Sequence, residues 1–339
     1  MSTPDTPEPQ TSRKSARERD EPKRPKSTQG GDDVVTAAAT ATGIAGFGIA
    51  TVLIALGVCA CCCIGVIALL IALLVPAVMK VREAASQQLA TNNLKQITLA
   101  FNNFHSDFKR LPFNGANGKI SGTDYSKKAL PASATSGSWA FQILPYIEQG
   151  PLYNSGPGPG TNSIGITTYM NPARGRPMFC NEGPWSDFFI NVAINNGSNA
   201  PVFDSPDGRR TLNWLADGTS NTIFVGEGSL LTSDYSKSTT LPYSGTIWNG
   251  GTEGTGRGGP WQAPVLGKAP GVTILQRDPG SGPLNSPVSW GGPYPRGALM
   301  AMGDGMVRLF PYSMSGAGGF DAFLTPNNGD PAVFPDVPP

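Results

Sequence analysis

The chain has 339 residues and a formal net charge of +1, with only 14 % charged residues, 43 glycines, 32 prolines and one histidine. That balance excludes a nucleic-acid binder held by phosphate contacts, which needs a basic stripe. The lone His105 excludes multi-histidine metal sites, and the glycine and proline content excludes long helical bundles and coiled coils.

In chain order, residues 1–33 come first, with seven Lys/Arg, seven Asp/Glu and no aromatic residue. Such a segment buries too little apolar surface to offset its ordering entropy and reads as a disordered, charged tail. Residues 34–79 contain no charge at all. Their second part, VLIALGVCACCCIGVIALLIALLV from Val52 to Val75, exceeds the roughly 20 apolar residues that cross a bilayer as a helix. It lies too far from the start for a secretory signal peptide. The reading is one transmembrane span. The excess of Lys/Arg before it places the N-terminus in the cytoplasm and residues 80–339 outside. Cys59, Cys61, Cys62 and Cys63 fall inside the span and read as small packing residues. Cys180 has no partner outside the membrane, so the outer domain is not a disulfide scaffold.

Beyond Pro76 helical spacing continues. Apolar residues fall at Val78, Val81, Ala85 and Leu89, and again at Leu94, Ile97, Phe101, Phe104 and Phe108, with Pro112 as the stop. One helix is therefore expected, half in lipid and half laid on a globular body, with Pro76 able to kink it near the interface.

The stretch LLVPAVMKVREAASQQLATNNLKQITLAFNNFHSDFKRLP resembles the start of the planctomycete DUF1559 proteins, which begin like prepilins. Similar blocks follow in the same order: SWAFQILPYIEQGPLYN from Ser138, RPMFCNEGP from Arg176, LADGTSNTIFVGEG from Leu215 and YPRGALMAMGDGMVRLF from Tyr294. The resemblance implies a pilin-like, pseudopilin-like anchored protein. It also implies prepilin processing, yet the family's GFTLIE-type leader has no counterpart here, and the position of its glutamate falls on Cys59. An uncleaved anchor is expected. The histidine of the family's C-terminal block is Tyr294 in this chain.

The fold class expected is α+β: a long N-terminal helix packed on an antiparallel sheet with long Gly/Pro-rich loops. Candidate strands are Trp139–Tyr146, Pro177–Cys180, Ile223–Glu227, Thr246–Trp248, Leu299–Met302 and Met306–Phe310. Asp304-Gly305 between apolar runs signals a hairpin with a type I′ turn. Asp217 to Thr222 reads as an Asx or ST turn feeding a strand. The carboxylates Asp217, Glu227 and Asp304 are the weak candidates for calcium, a cation that takes six to eight oxygens. No other metal or cofactor is expected. His105, among Phe101, Phe104 and Phe108, reads as a packing or hydrogen-bonding residue, and no GxSxG elbow accompanies it.

All six tryptophans follow the span. Trp248 and Trp261 sit in Gly/Pro-rich loops, where aromatics either bind sugars or proteins or pin the loops to the body. The function expected is a non-enzymatic, membrane-anchored envelope protein. The alternative is a glycan- or protein-binding module using Trp248 and Trp261. Expected partners are the membrane, an envelope protein or glycan, and a second copy packed through Gly43, Gly46 and Gly57.

Overall fold

The computed structural model describes residues 41–114, 138–195, 208–239, 245–248, 250, 254–259, 274–281, 289–315, 319–329 and 332–334. The charged tail and Trp261 lie outside these. The chain divides into two compact units, Met1–Ile71 and Ala72–Pro339.

Helix α1 runs Ala41–Phe108 and continues through Pro76. From Gly48 to Ile71 every side chain of the first unit is exposed. This helix is long and apolar enough, by length and composition, to cross a membrane.

In the second unit α1 becomes the spine of the core. Ala90, Leu94, Ile97, Phe101 and Phe104 are fully buried, at the three- and four-residue steps that keep one face turned inward. The expected stripe holds only in this half. Val78, Val81 and Leu89 are exposed. The step of five residues from Leu89 to Leu94 turns the helix about 140° away from its starting face, so the two apolar groups never shared one side. The helix stops at Phe108 because Lys109 takes the left-handed conformation (φ 54°) and donates its N–H to the His105 carbonyl at 2.8 Å. His105 Nε2 in turn accepts the Leu212 N–H at 3.3 Å. Burial, and then the Lys109 charge, lowers its pKa, which keeps it a neutral acceptor.

Trp139–Tyr146, expected as a strand, is helical. Ser138 caps helix α2 (Trp139–Gln142) by accepting the Phe141 N–H, a 3-10 turn Leu144–Ile147 follows with Pro145 near its start, and helix α3 covers Gly150–Ser155. A short run buried on all sides has no two-residue alternation to distinguish a strand from a helix, and the cap decides.

The strands are β1 (Phe179–Cys180), β2 (Gly183–Pro184), β3 (Phe188–Asn191), β4 (Ile223–Glu227), β5 (Gly256–Arg257), β6 (Ile274–Leu275), β7 (Ser289–Trp290), β8 (Ala298–Met302) and β9 (Val307–Phe310). The main sheet has the order β5-β3-β4-β8-β9. Its pairs are antiparallel except β3 with β5, so the sheet is mixed at one edge rather than wholly antiparallel. Thr246–Trp248 contributes only a bridge from Thr246 to Trp185.

The sheet is buried on both faces. On one side α1 packs through Phe101, whose ring meets Trp139 at 5.5 Å and Phe224 at 6.2 Å. On the other, Phe189, Trp290, Met300 and Phe310 pack with Phe320, Phe323 and Leu324 from near the C-terminus. Offset and edge-on ring contacts of this kind add specificity to the area they bury.

The hairpin at Asp304-Gly305 forms, but with different turn chemistry. The Met302 carbonyl accepts from Gly305, the Met302 N–H donates to Met306, and Gly305 alone takes positive φ (89°). This is a three-residue loop with a glycine bulge; type I′ would require positive φ at Asp304 too. Because an L side chain is strained at that φ, Gly305→Ala is expected to cost about 1 kcal/mol, although a Cβ there meets nothing within 4 Å. Thermal unfolding of the variant checks this.

Candidate functional site

Scarce charges converge in the second unit. A 3-10 turn, Pro172–Arg174, starts at Asn171, whose side chain accepts the Ala173 N–H. The turn aims Arg174 inward. Its Nη1 lies 3.1 Å from Asp187 Oδ1 and its Nε lies 2.8 Å from Asp278 Oδ2, with all three side chains buried. Nη2 donates to the Gly228 carbonyl at 2.6 Å and to Asp278 Oδ1 at 3.2 Å, giving a two-pronged grip on Asp278. Asp278 also accepts the Tyr235 hydroxyl and, at 2.9 Å, the Leu230 N–H. Arg176 stands 3.4 Å from Asp187 and stacks 4.4 Å over the Trp185 ring.

Glu227, at the end of β4, joins this network from the sheet. It is fully buried, accepts the Asn171 side-chain amide and takes the Leu299 N–H at 2.8 Å. Burial pushes its pKa up to about 8, while the Arg174 charge and the Leu299 hydrogen bond pull the other way. At neutral pH the network then holds two arginines, two aspartates and one mainly uncharged glutamic acid, a balanced set. Gly292 lets the chain close over this carboxyl: a Cβ there would lie 2.1 Å from Glu227 Oε2. Tyr294 donates its hydroxyl to Asn171 Oδ1 at 3.0 Å.

Above the network lies a cleft of about 500 Å³ between the first turns of α1 in this unit (Met79 to Ser86), the Pro172-Ala173 turn and the Pro293–Pro295 loop. A smaller one of about 360 Å³ adjoins it, sharing Ala173, Arg277 and Pro293, with Asp278 in its lining.

The three carboxylates considered for calcium do not meet. Asp217 is spent on the N–H groups of Asn328 (3.2 Å) and Gly329 (2.9 Å), and Asp304 caps Met306 at 2.9 Å. Their turns touch, through Asp304 N to the Thr219 carbonyl at 3.2 Å, but Glu227 is sealed in the network at the other end of β4. Among the described residues no group of three metal-ligating side chains forms. Trp248, considered as a ligand-binding residue, is buried and packs against Phe141 at 5.8 Å. It pins its loop, as Trp139, Trp185 and Trp290 do theirs. Asn171, Arg174, Asp187 and Asp278 escaped the sequence reading. Their one local signal is the Pro- and Gly-bracketed NPARGRP, two arginines in a stretch otherwise poor in charge.

The family model described as a protein of unknown function, DUF1559, matches residues 79–157 and 154–316. No curated protein and no solved structure matches the chain. The matched region takes in the cleft-forming turns of α1, the Arg174 turn, the whole main sheet and Tyr294, and the chain belongs to the DUF1559 family.

Proposed function

We propose that this chain is a single-pass, membrane-anchored envelope protein without catalytic activity. Its N-terminal tail lies in the cytoplasm and the DUF1559 domain outside. The observation that carries this reading is the helix α1: its apolar residues from Gly48 to Met79 are all exposed, while from Ala90 onward the same helix is the spine of a core. Uncovered apolar side chains on that scale need lipid or protein around them. A helix that is bare in one half and packed on a sheet in the other is pilin-like in plan, and lateral packing through Gly43, Gly46 and Gly57 is the expected mode of self-association. Non-catalysis is supported by the buried network, in which Arg174, Asp187 and Asp278 pair with one another, Asp278 also lining the smaller cleft. Recognition through loop tryptophans now rests on Trp261, since Trp248 is core.

The full chain is expected to stay with membranes after carbonate washing. Protease added to intact cells is expected to remove the domain and spare the tail, and N-terminal sequencing is expected to return residues before Val34. Soluble recovery sinks the anchor, and a digested tail reverses the orientation. A mature end near Cys59 reverses the uncleaved reading.

A further inference from the structure

The geometry points to the cleft beside Met79 as a binding site for the headgroup of a glycerophospholipid carrying a primary amine, a phosphoethanolamine. The proposal rests on the membrane-anchored reading and adds a ligand class to it.

Three charged side chains line the cleft with binding capacity to spare. Arg82 and Glu83 have no side-chain hydrogen bond or ion pair among the described residues. Arg277 uses only its Nε, on the Pro293 carbonyl at 3.1 Å, which leaves its two terminal nitrogens for a ligand. Two guanidinium groups match a phosphodiester, because their planar N–H donors suit its oxygens. The Glu83 carboxylate in the same lining rules against a simple anion site and matches an ammonium. Together they are complementary to a zwitterion with phosphate and amine on neighbouring carbons. Ser86 and Tyr294 complete the wall, with their hydroxyls donated to the Glu83 carbonyl and to Asn171 Oδ1.

The remaining walls are Pro172, Pro293, Pro295, Ala173 and Met79. Prolines bring no N–H, so these walls offer apolar contact and no solvation to a free ion. They suit the glycerol and first acyl carbons of a lipid. A volume of about 500 Å³ lies in the range that small-molecule sites occupy.

Position favours a lipid over a soluble ligand. Leu73, Leu74, Val75, Val78 and Met79 are exposed and apolar immediately before Arg82 on the same helix. At about 1.5 Å per residue, Arg82 stands about 5 Å past Met79, within the depth of a headgroup layer beside the hydrocarbon. Met79 belongs both to the apolar stretch and to the cleft wall, so acyl chains have a continuous apolar path out of the site.

The test uses the full chain in neutral detergent, titrated with dihexanoyl phosphatidylethanolamine, phosphatidylcholine and phosphatidylglycerol and with inorganic phosphate, read by calorimetry. Saturable binding of the ethanolamine lipid at least about tenfold tighter than the other two is expected, with no binding of phosphate at the same concentration. Arg82→Gln and Arg277→Gln are each expected to weaken it about tenfold. Glu83→Gln is expected to erase the preference for ethanolamine over choline, whose methylated nitrogen donates no hydrogen bond. Among the described residues the side chains changed have no polar partner except the Pro293 carbonyl on Arg277 Nε, so unchanged thermal unfolding without lipid verifies the fold. Equal affinity for all three headgroups, insensitive to the variants, overturns the proposal, as does phosphate binding as tightly as lipid. Failure of the anchor would appear separately, in carbonate extraction, and leaves this titration readable.

Discussion

Arg174→Met is expected to lower the stability of the second unit by about 3–5 kcal/mol, the cost of breaking a buried ion pair from one side. The arginine neutralises Asp187 and Asp278 together and donates to the Gly228 carbonyl, all away from water. Methionine fills much of the same volume, so cavity formation adds little and the loss is mainly electrostatic. Asp278 keeps the Tyr235 hydroxyl and the Leu230 N–H, and Asp187 keeps Arg176 and the Asn171 N–H. Those contacts are too few to hold two carboxylates charged in a dry interior. The measurement is urea unfolding of the detergent-solubilised full chain by tryptophan fluorescence, which reports on this unit alone because every tryptophan lies between residues 139 and 290. A loss below about 1 kcal/mol, the scale of an exposed pair, would show that water reaches the network. The triple change Arg174→Met, Asp187→Asn, Asp278→Asn is expected to recover part of the loss by removing the stranded charges.

The second large effect is a pH dependence centred on Glu227. In the unfolded chain its carboxyl titrates near 4.5, and in the folded protein burial pushes it to about 8. Between those values the folded protein holds a proton that the unfolded chain has released. Stability therefore falls as pH rises through this window, by on the order of 4 kcal/mol when complete. The contribution is fully present below pH 4.5 and gone once pH passes 8. Glu227→Gln carries no titrating proton. It keeps one acceptor where Glu227 offers two, to Leu299 N–H and Asn171, and is expected to cost about 1–2 kcal/mol at pH 5. The wild-type advantage should then shrink with rising pH and reverse between about pH 6 and 7. A constant difference from pH 5 to pH 8 would mean that Glu227 is ionised throughout.

Much of the architecture was legible in the sequence because it is written in local terms. Three- and four-residue apolar steps announced the packed half of α1, the Ile-Phe-Val run announced β4, and apolar runs either side of Asp304-Gly305 announced the β8–β9 hairpin. What misled was equally local. Trp139–Tyr146 has strand-like composition, but the Ser138 cap starts a helix at Trp139 and Pro145 continues it as a 3-10 turn. The two-residue strands β2, β5, β6 and β7 have no periodicity to detect, since each exists only through its pairing partner.

The site was the least legible part. Glu227 was singled out as a weak calcium candidate, and its real environment comes from Asn171, Leu299 and Gly292, residues 56, 72 and 65 positions away. Arg174 and Asp278 meet across 104 positions, and no spacing rule spans such a gap. The cleft is likewise a product of three separated segments, the Met79–Ser86 turns, Pro172-Ala173 and Pro293–Pro295.

By itself, then, the sequence determined the charged tail, the apolar stretch, the helical spine and the strands β4, β8 and β9, though not the interior strand β3, because hydrophobic periodicity and turn chemistry act over a few residues. Tertiary structure alone decided which charges are buried and paired, that Trp248 is core, that Glu227 holds its proton near neutrality, and that Arg82, Glu83 and Arg277 share a cleft. Those properties arise from desolvation and electrostatics, which depend on distance in space and not on distance along the chain.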